Sequence, residues 1–173
     1  MNNQTMHDSL MRIEHDSPVG ELTIIASSEA VRAVLWPNER PGRVTIRDRV
    51  EAGTNPVVDQ ARRELDEYFS GERTRFEVPV DIVGTDFQRS VWRALTTITY
   101  GTTRSYGSLA DTIGKPQAAR AVGAATGLNP VSIIVPCHRL IGTNGSMTGF
   151  AGGLDAKRWL LQHEQQTVQT LTI

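Results

Sequence analysis

Between Leu10 and Trp36 apolar and polar residues alternate, with breaks at Ser17-Pro18-Val19-Gly20 and at Ser27-Ser28-Glu29. Side chains along a strand point to opposite faces in turn, so this stretch predicts two or three antiparallel strands. Arg40 to Asn55 is polar and contains Pro and Gly, which predicts a loop or a weak element. Pro56 opens a helix with Val57, Val58, Ala61, Leu65, Tyr68 and Phe69 on one face, and Gly71 closes it. A short strand is expected near Phe76 to Ile82, leading into Val83-Gly84. That dipeptide is read as the boundary between an N-terminal domain, 1–83, and a C-terminal domain, 84–173.

The second half changes period. Thr85-Asp86-Phe87-Gln88 has capping-box spacing, and Phe87, Val91, Leu95 and Ile98 recur behind it at helical intervals. A shorter helix is expected over about Ser105 to Ile113. Gly114-Lys115-Pro116 then turns the chain, with Pro116 suited to the first position of the next helix. Two short helices joined this way predict a helix-turn-helix. Val131 to Val135 is an apolar run expected to be extended, Asn144-Gly145 is a hairpin signal, and a last helix starts near Asp155. Trp159, Leu160 and Leu161 are expected to face the core. There are no internal repeats and no low-complexity tracts.

Composition changes this picture little and charge changes it more. The apolar and charged fractions, 39% and 21%, suit a soluble globular chain, and 173 residues can bury a real core. No apolar stretch approaches the roughly 18 residues of a membrane span, and Met1 to Arg12 lacks the apolar centre of a signal peptide. The expectation is a cytoplasmic protein with no membrane partner. The net charge of −1 conceals an acidic half, with 10 Lys+Arg against 15 Asp+Glu in residues 1–83, and a basic half, with 8 against 4 in residues 84–173. Such a split suggests that the C-terminal half meets a polyanion.

The candidate chemistry centres on Val135-Pro136-Cys137-His138-Arg139-Leu140-Ile141, which holds the one cysteine of the chain. One cysteine makes no internal disulfide and no C-x-x-C zinc site. A thiol flanked by a histidine and an arginine reads as a nucleophile, because cations favour the thiolate. In an extended segment His138 points away from its neighbour, so a water bridge or a local turn is needed to join them. The imidazole also needs an orienting partner; Glu164, placed after the last helix, is one of few acidic residues in this half, and Asn129 offers an amide near the thiol. His163, His15 and His7 are read as surface residues. A cysteine hydrolase would need a histidine distant in sequence, which fits poorly, and a DNA-binding regulator would leave Cys137 unexplained.

The helix after Pro116 reads Gln117-Ala118-Ala119-Arg120-Ala121-Val122-Gly123-Ala124-Ala125-Thr126-Gly127, with tiny side chains and one long cation. A major-groove reader normally presents several long polar side chains; a smooth helix can press into the narrower minor groove. Tight packing between two helices explains the same composition. Arg120 is then a surface cation or a wedge into the base stack, and the helix alone does not decide.

Together these segments resemble the O6-alkylguanine-DNA alkyltransferase (methylated-DNA–protein-cysteine methyltransferase) family. The resemblance runs through Phe87-Gln88-x-x-Val91-Trp92, Tyr100-Gly101-x-Thr103-Arg104-Ser105-Tyr106-Gly107, Ala118-Ala119-Arg120-Ala121-Val122-Gly123, Asn129-Pro130 and Pro136-Cys137-His138-Arg139. It continues through Gly152-Gly153-Leu154, Lys157, Trp159-Leu160-Leu161 and His163-Glu164, covering essentially all of residues 85–164. It implies an α+β fold, with a ribonuclease-H-like N-terminal α/β domain and a mainly helical C-terminal winged helix-turn-helix domain that binds the minor groove and flips the damaged base. It implies that Cys137 accepts the alkyl group from O6-alkylguanine, and from O4-alkylthymine, in one irreversible displacement per molecule. His138 is then the base, acting through a water; Glu164 orients it and Asn129 helps hold the site. Tyr106, Phe150 and Ala151 line the substrate pocket, and Arg120, Tyr106, Ala119, Ala121 and Gly123 meet the DNA. The implied partner is double-stranded DNA carrying the lesion, with the protein a monomer in solution and cooperativity along DNA left open. No cofactor and no metal are implied, since the lesion supplies the methyl group and the zinc cysteines of some relatives are absent. Phe150 stands where many members have tyrosine, Ala151 where some have serine, Thr99 where proline is frequent, and Gly127-Leu128 lacks a basic residue found in some relatives.

Overall fold

The computed structural model describes residues 9–172; His7 lies outside the described residues. The alternating N-terminal segment forms three strands, β1 (Leu10–His15), β2 (Leu22–Ala26) and β3 (Val31–Leu35), broken where the sequence predicts. They pair antiparallel, with Ile13 opposite Ile24 and Ile25 opposite Ala33. The polar segment that follows contributes a short fourth strand, β4 (Val50–Ala52), which runs parallel to β1 and gives the order β3-β2-β1-β4. The sheet is therefore mixed rather than wholly antiparallel, because the chain crosses from one sheet edge to the other between β3 and β4. Helix α1 (Pro56–Phe69) has Pro at its start and Asn55 as cap, the Asn55 side chain accepting from the Val58 amide at 2.8 Å. It buries Val57, Val58, Ala61, Leu65 and Tyr68.

The strand expected near Phe76 to Ile82 reduces to one isolated bridge, Val31 to Val80. A side chain takes its backbone donors instead: the buried Glu64 carboxylate accepts from the Glu77 and Val78 amides at 2.8 and 3.0 Å. After Gly84 the capping box closes as predicted on α2 (Asp86–Leu95), which buries Val91, Trp92, Ala94 and Leu95; Ile98 is buried in the turn beyond. Then come β5 (Arg104–Ser105), α3 (Tyr106–Thr112) and α4 (Ala119–Gly127). Pro116 does not open α4. The Gly114 and Lys115 amides close α3 onto Asp111 and Ala110, the Ala118 amide turns back onto Lys115, and the helix starts three residues after the proline.

Val131 to Val135 is not a regular strand. Isolated bridges hold Val131 against Val34 and Ser132 against Val135, and Ile133 takes a positive φ of 73°, costly for a β-branched residue. Strand β6 (Leu140–Ile141) pairs parallel with β5, so Asn144-Gly145 makes a turn but no hairpin; the Gly142 amide reaches the Ser146 carbonyl at 2.8 Å. Helix α5 (Leu154–Leu171) buries Ala156, Lys157, Leu160 and Glu164, leaving Trp159 and Leu161 only half-buried. Two histidines read as surface residues are not. His15 is 6% exposed, its Nε2 lying 3.3 Å from the Asp66 carboxylate, and His163 stacks on Trp159 and donates to the Tyr68 carbonyl at 2.7 Å.

One contiguous core takes residues from both halves, joining Leu22, Ile24, Trp36 and Tyr68 to Val91, Trp92, Val131 and Leu160. A smaller cluster of Leu10, Ile25 and Ala33 lies apart from it. The active-site candidates sit where the halves meet.

Candidate active site

The segment from Asn129 to Arg139 is buried throughout and is held from both sides. The Val34 amide of β3 donates to the Pro130 carbonyl at 2.9 Å. The Asn129 amide group donates to the Val135 carbonyl at 2.9 Å while its oxygen accepts from the Val131 amide at 3.0 Å. Asn129 thus staples the two ends of the apolar loop around the strained Ile133. Beyond Pro136 the chain makes a single 3-10 turn, Cys137–Arg139. The turn takes Cys137 and His138 out of an extended segment, and no direct hydrogen bond joins the two side chains among the described residues.

His138 is fully buried and its Nε2 lies 2.6 Å from Glu164 Oε1. An ionised carboxylate can only accept, so the neutral imidazole carries its proton on Nε2 and leaves a lone pair on Nδ1. Nδ1 has no hydrogen-bond partner among the described residues. Glu164, expected after the last helix, lies within α5 and is fully buried. Arg139 grips both of its oxygens, at 2.9 to 3.2 Å, and also donates to the Ile98 carbonyl at 2.8 Å. The Gly101 amide donates at 3.0 Å and the Tyr68 hydroxyl at 2.8 Å. Burial pushes the carboxyl up, but His138 and Arg139 outweigh it and hold it down at about 2. Burial likewise pushes the His138 imidazole down, against the pull of Glu164, and keeps it neutral.

The electrostatics of the thiol differ from the sequence expectation. Cys137 is 4% exposed, and burial raises its pKa. Opposing that rise are a hydrogen bond from Asn129 and the charges of Arg43 and Lys157, not those of His138 and Arg139. The two basic neighbours are turned to Glu164 instead. Arg43 donates to the Asn129 carbonyl at 2.7 Å and is ion-paired to Glu39. Lys157 is 1% exposed and donates to the Leu140 carbonyl at 2.6 Å, with the Phe150 ring 5.9 Å from its Nζ. Burial lowers the Lys157 pKa while Cys137 works the other way, so the two groups favour each other's charged forms.

A groove of about 510 Å³ brings Tyr106, Ala119, Arg120 and Gly123 together with Thr143 and Thr148 of the loop beyond the thiol. Arg120 and Ala121 are exposed on α4, and Gly123 lies under the Tyr106 ring, with room for a Cβ at an ordinary 3.6 Å. The Tyr106 and Thr148 hydroxyls bond at 2.6 Å across the groove. Phe150 and Ala151 do not line it. They pack against the core, and the Phe150 ring lies edge-on to Trp36 with centroids 5.2 Å apart. A larger cavity of about 740 Å³, between residues 42–48 and α2, touches neither thiol, imidazole nor Glu164. No group of three His, Cys, Asp or Glu among the described residues could hold a metal ion.

Sequence reasoning missed Tyr68, Arg43 and the role of Lys157. A signal existed for Lys157: with Leu160 and Glu164 it falls at i, i+3 and i+7, placing two charges on the apolar stripe of a helix, which calls for buried partners. Arg43 gave none, since it lies in a polar loop 86 residues from the carbonyl it holds.

Residues 6–82 match the family described as 6-O-methylguanine DNA methyltransferase, ribonuclease-like domain, and residues 86–166 match its DNA binding domain. The chain is 49% identical over 152 residues to the methylated-DNA–protein-cysteine methyltransferase of Mycobacterium tuberculosis, covering 87% of this chain and 89% of that one. The namesake from Methanosarcina acetivorans is 44% identical, with 86% and 94% covered. Among solved structures, the M. tuberculosis protein in complex with DNA superposes with a TM-score of 0.81 at 45% identity, covering 92% of this chain and 94% of that one.

Proposed function

This chain belongs to the 6-O-methylguanine DNA methyltransferase family, and we propose that Cys137 is its alkyl acceptor, served by His138, Glu164 and Asn129. It performs direct-reversal DNA repair by transferring an alkyl group from DNA to cysteine, and DNA is its partner. The observation that carries the residue assignment is the buried His138–Glu164 pair beside the one cysteine, with Nδ1 left as a free base.

Each step then has an owner. The resting thiol is kept protonated by burial, and His138 Nδ1 takes its proton through an intervening water. The imidazolium that forms is stabilised by Glu164, and the thiolate by Asn129, Arg43 and Lys157. A general base of this kind contributes about 10²- to 10⁴-fold. The sulfur attacks the alkyl carbon of O6-alkylguanine, or of O4-alkylthymine, the carbon–oxygen bond breaks, and the base leaves with a proton supplied from the Tyr106 side of the groove. The product is a thioether with no hydrolysable bond, so each molecule acts once and needs no cofactor. The lesion is flipped out of the stack from the minor groove. Arg120 fills the gap, Ala119, Ala121 and Gly123 let α4 approach the backbone, and Tyr106 forms the pocket side, with Phe150 and Ala151 packed behind it against the core. Residues 84–173 carry DNA binding and transfer, and residues 1–83 brace them. The protein works as a cytoplasmic monomer.

Incubation with an oligonucleotide containing O6-methylguanine, followed by intact-mass measurement, is expected to add one methylene to Cys137 and to stop at one equivalent. Cys137→Ser is expected to abolish transfer and keep DNA binding. Methyl transfer to another residue in that variant would overturn the assignment.

A further inference from the structure

We propose that Tyr68, on α1 of the N-terminal half, is a positioning residue for the transfer reaction: its hydroxyl donates to the same Glu164 oxygen that holds His138, so the N-terminal half takes part in the proton relay. This rests on the reading of His138 and Glu164 given above. Tyr68 is fully buried, and its hydroxyl lies 2.8 Å from Glu164 Oε1, while His138 Nε2 lies 2.6 Å from that atom. Its own carbonyl accepts from His163, the residue before Glu164 on α5, so Tyr68 ties α1 to α5 through both its hydroxyl and its backbone.

Donors that share one oxygen compete for the same electron density, and Oε1 takes His138 and Tyr68 together with the longer bonds from Arg139 at 3.0 and 3.2 Å. The Tyr68 bond withdraws charge from the atom that would stabilise a protonated His138. The relay needs His138 neutral at rest and protonated only once the thiol gives up its proton, so this restraint has a use. Burial, and then the nearby Glu164 charge, keep the phenol from ionising, and Tyr68 donates at every working pH. The other groups around the pair are fixed or distant. Arg139 spans both carboxylate oxygens with the Tyr100 ring 5.4 Å from its guanidinium, the Gly101 amide holds Oε2, and Lys157 acts on His138 only through its charge. Tyr68 is the one side chain from the N-terminal half bonded to the carboxylate among the described residues.

The test is the pH profile of single-turnover transfer from free O6-benzylguanine, which removes base flipping from the measurement. Tyr68→Phe keeps the ring and deletes the donor. Negative charge returns to Oε1, the imidazolium is stabilised, and His138 becomes available as a base only at higher pH. The acid limb is expected to move up by about 0.5 to 1 unit. A purely structural phenol would lower the melting temperature and leave the limb in place; superimposable limbs overturn the proposal. Glu164→Gln serves as the control on the underlying reading. If it transfers with the wild-type rate and profile, the relay itself is wrong. If it is impaired while Tyr68→Phe is unshifted, only the Tyr68 assignment fails. Should Tyr68→Phe not fold, proton NMR of the unaltered protein decides: a slowly exchanging Tyr68 hydroxyl resonance in contact with the His138 ring is expected, and a hydroxyl exchanging freely with solvent overturns the assignment.

Discussion

At the scale of single residues, Glu164 is where most of the electrostatic stakes lie. A buried carboxylate is tolerated only when its lone pairs are filled, and here Arg139, His138, Tyr68 and Gly101 fill them. The consequence is a dependence of stability on pH with a definite sign. The folded pKa, about 2, lies below the ordinary 4.5 that Glu164 has once unfolded. Its contribution is complete above pH 4.5 and is lost as pH falls through the interval down to 2. The size is on the order of 3 kcal/mol. His138 acts in the same direction at higher pH, because its folded pKa lies below 6.5 and the unfolded chain takes up its proton first. Chemical denaturation at a series of pH values should show stability falling steeply below pH 4.5 in the native sequence. Glu164→Gln should be less stable at neutral pH, since it leaves Arg139 without its counter-charge, but should lose that part of the slope. Equal slopes in both proteins would show that Glu164 is not held ionised.

At the scale of elements, α4 is the clearest case of a sequence feature with two readings. Its buried face is Val122, Ala125 and Thr126, and its exposed face is Arg120, Ala121, Ala124 and Gly127. The small residues on the outer face are open to solvent, so helix–helix packing does not explain them, and at Gly123 a Cβ would meet the Tyr106 ring only at an ordinary 3.6 Å. Arg120 is the one long side chain on that face. Unstacking a base costs a few kcal/mol, and losing a wedge that offsets even about 1.4 kcal/mol slows reaction in duplex DNA roughly tenfold. Arg120→Ala is therefore expected to slow repair of a duplex lesion by that factor or more while reacting with free O6-benzylguanine near the native rate. Equal losses on both substrates would remove the wedge role. The elements also show what was legible in the chain. Helix α1 could be read because Pro56 and Gly71 punctuate a clean apolar face, and α2 because its capping box is a local, reciprocal bond. Strand β4 could not, since three half-exposed residues take their place from a partner strand about 40 positions away. Val131 to Val135 misled for a physical reason: β-branched composition signals a strand, but the bonds from Asn129 and the positive φ of Ile133 fold it into a buried loop. The site was legible as far as residue types go. Its wiring was not, because Arg43 and Tyr68 reach it across long stretches of sequence.

At the scale of the molecule, the acidic and basic halves are not independent bodies sharing a linker. Trp36, just after β3, donates its ring N–H to Ser132 Oγ at 3.0 Å and packs edge-on to Phe150. Gly152 lies so close beneath it that a Cβ there would come within 2.6 Å of the indole ring. Tyr68 meets Glu164, Arg43 meets Asn129, and Val34 meets Pro130. The bonds to Ser132, Glu164, Asn129 and Pro130 put N-terminal residues against the segment that carries the thiol or against helix α5. Unfolding one half alone would strip buried surface from the other and leave Glu164, Ser132 and the Asn129 carbonyl short of donors, so the intermediate with one half folded is penalised on both counts. The expectation is a single cooperative transition. The three tryptophans make this measurable, since Trp36 reports the N-terminal half while Trp92 and Trp159 report the C-terminal half. Trp36→Phe removes the N-terminal reporter and keeps an aromatic ring there, but gives up the bond to Ser132, so its own circular dichroism curve is the reference for its emission. Emission curves from that variant and from the native sequence should coincide with far-ultraviolet circular dichroism along a denaturant series. Separated midpoints would mean that the halves unfold independently, and the thiol would then have to be held by the C-terminal half without the contacts that surround it here.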